Sequence, residues 1–101
     1  MQQHKKVDIS LFCLEDLNYI EENISKVSIL MSKKIKEDFY LKISFLQEYP
    51  QMYQIVKTIN KIKIRKIIIQ KFIILYFINK KQIYVLNIYP QKSNYIDLIK
   101  I

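Results

Sequence analysis

The spacing of apolar positions along this chain changes period, and each change marks an element. Residues 6–10 (KVDIS) alternate polar and apolar, as a short strand with one buried face would. Ser10 follows with a hydroxyl suited to accept an orphan backbone N–H at a helix start. Behind it Leu14, Leu17, Ile20 and Ile24 recur at spacings of three and four, which predicts an amphipathic helix. Glu15 and Asp16 fall in its first turns, where the helix dipole favours negative charge. After a break over Asn23–Lys26, Met31, Ile35, Phe39, Ile43 and Leu46 form the stripe of a longer helix. Lys33, Lys34, Lys36, Glu37 and Asp38 lie on its water side. Pro50 ends it, because the residue before proline avoids helical geometry. Two helices with a short connection predict an αα-hairpin.

The period then switches to two. In KIKIRKIIIQKFIILYFINKKQIYVLNIY, residues 61–89, Ile62 and Ile64 alternate with Lys61, Lys63 and Arg65, so a half-exposed strand is expected. From Ile67 the run is continuous and β-branched, the pattern of strand buried on both faces. Asn79-Lys80-Lys81 reads as a hairpin turn, since asparagine tolerates left-handed geometry. Residues 83–88 (IYVLNI) complete the set. The predicted order is β-α-α-β-β-β. That is an α+β domain spanning residues 1–101, with the helical hairpin packed on one face of a small, mainly antiparallel, four-stranded sheet.

The isoleucine-rich stretch is too interrupted to cross a membrane. A spanning helix needs roughly 20 consecutive apolar residues, whereas the longest charge-free apolar run here is Phe72 to Ile78. In a strand, those residues split into Ile73, Leu75 and Phe77 on one face and Phe72, Ile74, Tyr76 and Ile78 on the other. The helices can cover only one of these faces. Either a partner or the chain's own C-terminal tail must cover the second.

Composition adds two points. Isoleucine makes up about a fifth of the chain and glycine is absent, a bias in keeping with an AT-rich genome. Net charge is +8, and its distribution is uneven. Residues 57–101 hold ten basic side chains against one acid, Asp97, whereas residues 1–56 hold seven basic and eight acidic ones. Such asymmetry fits a polyanionic partner, nucleic acid or an acidic protein segment; a solvated lysine-rich surface is the plainer reading. The opening MQQHKK is polar and no apolar run follows, so no secretory leader is expected. The single cysteine, Cys13, excludes an internal disulfide and fits a reducing, cytoplasmic setting.

Candidate chemistry is sparse. His4 is the only histidine and lies near the N-terminus; Cys13 adjoins the apolar stripe and reads as a buried structural thiol. With one histidine and no glycine, a metal-ligand cluster, a phosphate-binding glycine loop and a Ser/His/Asp set are all unsupported. Tyr76, Tyr84, Tyr89 and Tyr95 lie among basic residues. They are either cross-strand and core residues or platforms for stacking on bases.

Four stretches resemble the RelE/ParE family of toxins from bacterial type II toxin–antitoxin pairs. VDISLFCLEDLNYIEENI is similar to the family's opening strand and first helix, through Asp16, Leu17, Ile20 and Ile24. LQEYPQMY resembles the family's "L…FPxMG", with Tyr53 where glycine is usual. IRKIIIQKFIILYFI and IYVLNIYPQKSNYIDLI resemble its last strands and C-terminal segment. Together the four cover nearly the whole chain.

The resemblance implies a small toxin that halts growth until a cognate antitoxin wraps it, the toxin forming a homodimer or a heterotetramer with its antitoxin. Its target would be the ribosome and its mRNA, or DNA gyrase. Nuclease members cut mRNA without metal or other cofactor, using basic and polar side chains on the concave sheet face and near the C-terminus. Carried over by position, Lys66, Lys92 and Tyr95 are the candidate catalytic residues, and Lys63, Arg65, Lys71 and Gln91 the candidate target-binding ones. Much of the usual set is missing. The phosphate-stabilising arginine of the nucleases is Ile73 here, and their strand-closing histidine or tyrosine is Pro90 unless a one-residue slip brings in Tyr89. Loss of that arginine would cost on the order of 10²–10³ in rate. A toxin that binds its target, gyrase-directed or catalytically weakened, is therefore expected ahead of a ribosome-dependent endoribonuclease. A non-toxic antitoxin-binding module is the third reading.

Overall fold

The computed structural model describes residues 5–99; His4, singled out above, lies outside them. Strand β1 (Lys6–Ile9) leads into α1 (Leu11–Ser25) and α2 (Ile29–Glu48). Four strands follow: β2 (Ile55–Ile59), β3 (Ile62–Ile69), β4 (Phe72–Asn79) and β5 (Gln82–Pro90). A single turn, α3 (Tyr95–Leu98), closes the described chain. The sheet has five strands in the order β1-β5-β4-β3-β2, with β1 parallel to β5 and the remaining pairs antiparallel. The α+β architecture agrees with the sequence, and the strand count is five rather than four.

The extra strand is β2. Its pairing with β3 slips between Ile55 and Lys57, leaving Val56 as a bulge. Val56 and Ile59, at odd spacing, therefore both pack on the same side of the sheet. A period-two search misses such a strand, because the bulge resets which residues face inward.

Both helices start on a serine. Ser10 accepts from the Cys13 backbone N–H at 3.0 Å, and Ser28 from that of Met31 at 3.1 Å. The inward stripe of α1 begins at fully buried Cys13, with Leu14 half-buried beside it. In α2, Ser32 occupies the inward position expected for Met31, which is 49% exposed; the Ser32 hydroxyl donates to the Glu21 carbonyl at 3.0 Å, joining the two helices. Against one sheet face the helices bury Leu17, Phe39 and Leu46 with Ile67, Ile74, Tyr76, Ile83, Val85 and Ile88.

Ile83, Val85 and Ile88 can share that face only because β5 also carries a bulge. Leu75 pairs with Asn87 and Tyr76 with Val85, so Leu86 has no partner residue across the pair. Helix α1 fixes the bulge at several points. The Ser10 N–H donates to the Val85 carbonyl at 2.9 Å and its hydroxyl to that of Leu86. Asp16 accepts from the Ile88 N–H at 3.1 Å and from the Asn87 side chain at 3.4 Å. Asp16 thus lies beyond the first turn of α1 and bonds the sheet rather than the helix dipole, contrary to the sequence reading.

With no glycine available, the hairpin turns place ordinary residues at positive φ: Asn60 (50°), Lys61 (70°), Gln70 (53°) and Lys80 (58°). In the last turn the left-handed residue is Lys80, not the asparagine expected. Positive φ at both Asn60 and Lys61 is the type I′ signature that suits a two-residue hairpin. Left-handed geometry strains a residue bearing Cβ. Lys61→Gly is therefore expected to stabilise the fold by about 0.5–1 kcal/mol in urea unfolding. Asp16→Ala is expected to cost about 1–3 kcal/mol by leaving the Ile88 N–H without an acceptor, and Asp16→Asn less.

Candidate functional site

The sheet face away from the helices is the surface on which the resemblance places nuclease chemistry. Its centre is apolar: Ile64, Ile73 and Leu75 are fully buried, with Phe77 nearly so. The chain's own end covers them. After β5 the backbone turns at residues 91–94 and α3 lies back over this face, with Tyr95 packed on the cluster and Ile99 only 6% exposed within it. The Lys57 ammonium on β2 donates to the Ile96 carbonyl at 3.0 Å, tying the segment to the far edge of the sheet. The tail is thus a cover for the second face of β4.

Lys66 lies on this face, half-buried, its Cα opposite Leu75. Tyr95 shares the face. Tyr89 belongs there too, directly across from Ile73, whereas Pro90 pairs with Phe72 at the strand end. Tyr89 is thus the strand-closing aromatic on this side. Burial and then the negative charge of Asp16 raise its pKa, so the phenol stays protonated. The face therefore carries the Lys57 and Lys66 ammoniums and the Tyr84, Tyr89 and Tyr95 phenols, with fully buried Ile73 where the resemblance places the nuclease arginine.

The other candidates are dispersed. Lys92 and Gln91 are exposed in the turn after β5, and the Gln91 N–H donates to the carbonyl of exposed Lys71 at 2.8 Å. These three residues therefore gather at the end of the sheet carrying the β3–β4 turn. Lys63 and Arg65 are on the helix side, near the opposite end of β3. Arg65 is a structural tie, since its Nη1 donates to the carbonyls of Gln51 at 3.1 Å and Tyr53 at 2.6 Å. The hydroxyl of Tyr76, its cross-strand partner, donates to the Pro50 carbonyl at 2.6 Å. Together they hold the segment between α2 and β2, a role that spacing alone did not reveal.

A buried thiol and a buried phenol sit behind this framework. Burial, followed by the charge of Asp16, pushes the Cys13 thiol up to about 12 from its ordinary 9.0, which makes it a poor nucleophile. Burial likewise pushes Tyr76 up to about 12 from 10.0, outweighing the opposing pull of Arg65. No group of three or more His, Cys, Asp or Glu side chains is placed to hold a metal among the described residues.

Known proteins share both the sequence pattern and the fold. Residues 8–95 match the family described as ParE toxin of type II toxin-antitoxin system, parDE. Among solved structures, the chain is similar to one from the chromosomal ParDE TA system from P. aeruginosa, with TM-score 0.70 and 14% identity. That superposition covers 88% of this chain and 98% of the other, and at so low an identity it speaks for the fold. No curated protein matches the chain significantly in sequence. With the family matched over most of its length, this chain belongs to the ParE toxins of type II toxin–antitoxin systems.

The raised thiol and phenol pKa values predict alkaline sensitivity. Both groups favour the protonated form when folded, so their contribution is complete below pH 9 and is lost as pH rises toward about 12. Urea midpoints measured at rising pH should fall above pH 9. In Tyr76→Phe the fall should be shallower, on a baseline lowered by about 1–2 kcal/mol. Cys13 should resist a thiol reagent at about pH 8 until denaturant is added.

Proposed function

We propose that this ParE-family chain is the toxin half of a pair, arresting growth by binding its target, gyrase being favoured over the ribosome, and that a cognate antitoxin neutralises it. The observation that carries the reading is Ile73, fully buried at the position where the nuclease relatives have their arginine. A buried aliphatic side chain there, with the tail packed against it, cannot stabilise charge on a phosphorane. Lys66 and the phenols of Tyr89 and Tyr95 remain as candidate groups, too few for efficient RNA cleavage.

The antitoxin's side of the proposal rests on the outer surface of the helical hairpin. Leu11, Phe12 and Tyr19 of α1 and Tyr40 and Leu41 of α2 are exposed, and at the hairpin tip Val27 is 90% and Leu30 79% exposed. A hollow of about 420 Å³ between that tip and the β3–β4 turn is lined by Ile24, Val27, Met31, Ile35 and Phe72. So much apolar surface on so small a protein fits an amphipathic partner helix. The antitoxin is therefore assigned to the helices, and the open sheet face to the chain's own tail.

Induced alone in a bacterial host, the chain is expected to stop growth, with DNA breaks accumulating and transcripts left intact. Lys66→Ala and Tyr95→Phe should then remain toxic. Codon-specific mRNA cleavage abolished by Lys66→Ala would overturn the binding reading in favour of the endoribonuclease. Undisturbed growth in a permissive host would leave the non-toxic antitoxin-binding module.

A further inference from the structure

One end of the sheet collects most of the positive charge on its strand turns. The β2–β3 turn, the β4–β5 turn and the start of β1 all meet there, because Ile59 pairs with Ile62, Asn79 with Gln82 and Lys6 with Gln82. Two hollows open at this end. One, about 220 Å³, is lined by Gln51, Lys61, Lys63, Arg65, Ile78 and Lys80. The other, about 400 Å³, is lined by Lys6, Asn79, Lys80, Lys81, Gln82 and Tyr84. They lie on opposite faces of the sheet and meet at Lys80, so six cations ring this end, and no carboxylate among the described residues lines either hollow. Asp8, opposite Tyr84 in register, lies two residues further along the sheet and lines neither.

We propose that this end of the sheet binds single-stranded nucleic acid, with backbone phosphates in the lysine–arginine hollow and a base stacked on Tyr84. Three features point to that ligand. Six cations around one end of the sheet exceed what one phosphate needs, which suits a repeating polyanion. Arg65 is held by the carbonyls of Gln51 and Tyr53 through Nη1 alone among the described residues, which leaves its Nη2 and Nε donors to meet an oxyanion from a fixed guanidinium plane. Tyr84 supplies the aromatic element that an acidic polypeptide would not need. Its ring stacks on Phe77 (centroids 4.9 Å apart, planes at 18°), which sets its orientation, and it lines the second hollow. Tyr84 packs on the same open-face cluster as Tyr95, whereas the lysine–arginine hollow opens on the helix side and Lys92 and Gln91 lie at the far end of the sheet.

The proposal deepens the target-binding reading, yet its test does not depend on toxicity. Growth arrest checks that reading; oligonucleotide binding by the purified chain checks this one. The probe is a short fluorescein-labelled oligothymidine strand, followed by anisotropy across a salt series. K61Q/K63Q/K80Q is expected to weaken binding at least tenfold and to flatten the log–log salt slope by about 2, since each phosphate neutralised on a single strand adds about 0.7 to that slope. Tyr84→Leu should weaken binding on the order of tenfold with the slope unchanged. K33Q/K34Q/K36Q, which removes the same charge from exposed positions on α2, should stay within about twofold of the parent. Thermal unfolding of each variant separates loss of binding from loss of fold. Equal losses from the two triple variants would overturn the proposal. So would full binding by Tyr84→Leu, or displacement of the strand by poly-glutamate of matched charge as readily as by unlabelled oligothymidine.

Discussion

Strand β4 must be buried on both faces, and the rest of the molecule is arranged to satisfy that need. Residues 73–77 are all buried, an uninterrupted run in the middle of a five-stranded sheet. Burial of each large aliphatic side chain is worth about 1.5–3 kcal/mol, so neither face can be left to water. The helical hairpin covers Ile74 and Tyr76, and the C-terminal turn covers Ile73, Leu75 and Phe77. The tail therefore has a structural role, held down by Ile99 at its tip and by the Lys57–Ile96 bond along its length.

This constraint also shapes the chemistry. An arginine at Ile73 would carry a charge into the tail-covered cluster, where desolvation is costly unless the charge is paired. The same apolar packing that stabilises the domain leaves an aliphatic side chain where the resemblance places a nuclease arginine. Polar function moves to the periphery. Arg65 and Tyr76 satisfy carbonyls of the segment after α2, Asp16 and Ser10 hold the β5 bulge, and the lysines gather at the hairpin turns. The absence of glycine makes those turns unusual, since lysine and glutamine occupy left-handed positions that glycine would ordinarily take.

Much of the fold was legible beforehand. The Ser10 cap and the apolar spacings located the helices, and the split of residues 72–78 into two apolar faces matches the two clusters found. Two of the differences share one physical origin. Spacing arguments assume an unbroken period, and the bulges at Val56 and Leu86 each break it. The first bulge concealed β2. The second bears on Tyr89, which faces the open side of the sheet with Ile73 opposite. The continuous run from Ile67 also read as doubly buried throughout, yet Ile68 is 47% exposed on β3, because the tail does not cover that part of the face.

The two helices, their place after the first strand and before the remaining sheet, the family resemblance and the excess of charge after residue 57 were present in the sequence alone, because each depends on local spacing or on composition. Which cover lies on the second face of β4, what Asp16 and Arg65 bond, and which lysines become neighbours were decided by tertiary structure. Those outcomes join residues far apart in the chain. Asp16 meets Ile88, Arg65 meets Gln51, and Lys6 and Lys61 come to the same end of one sheet only when the strands pair in the order observed. A one-residue bulge moves a side chain from one face to the other, and no count along the sequence reports where the backbone admits it.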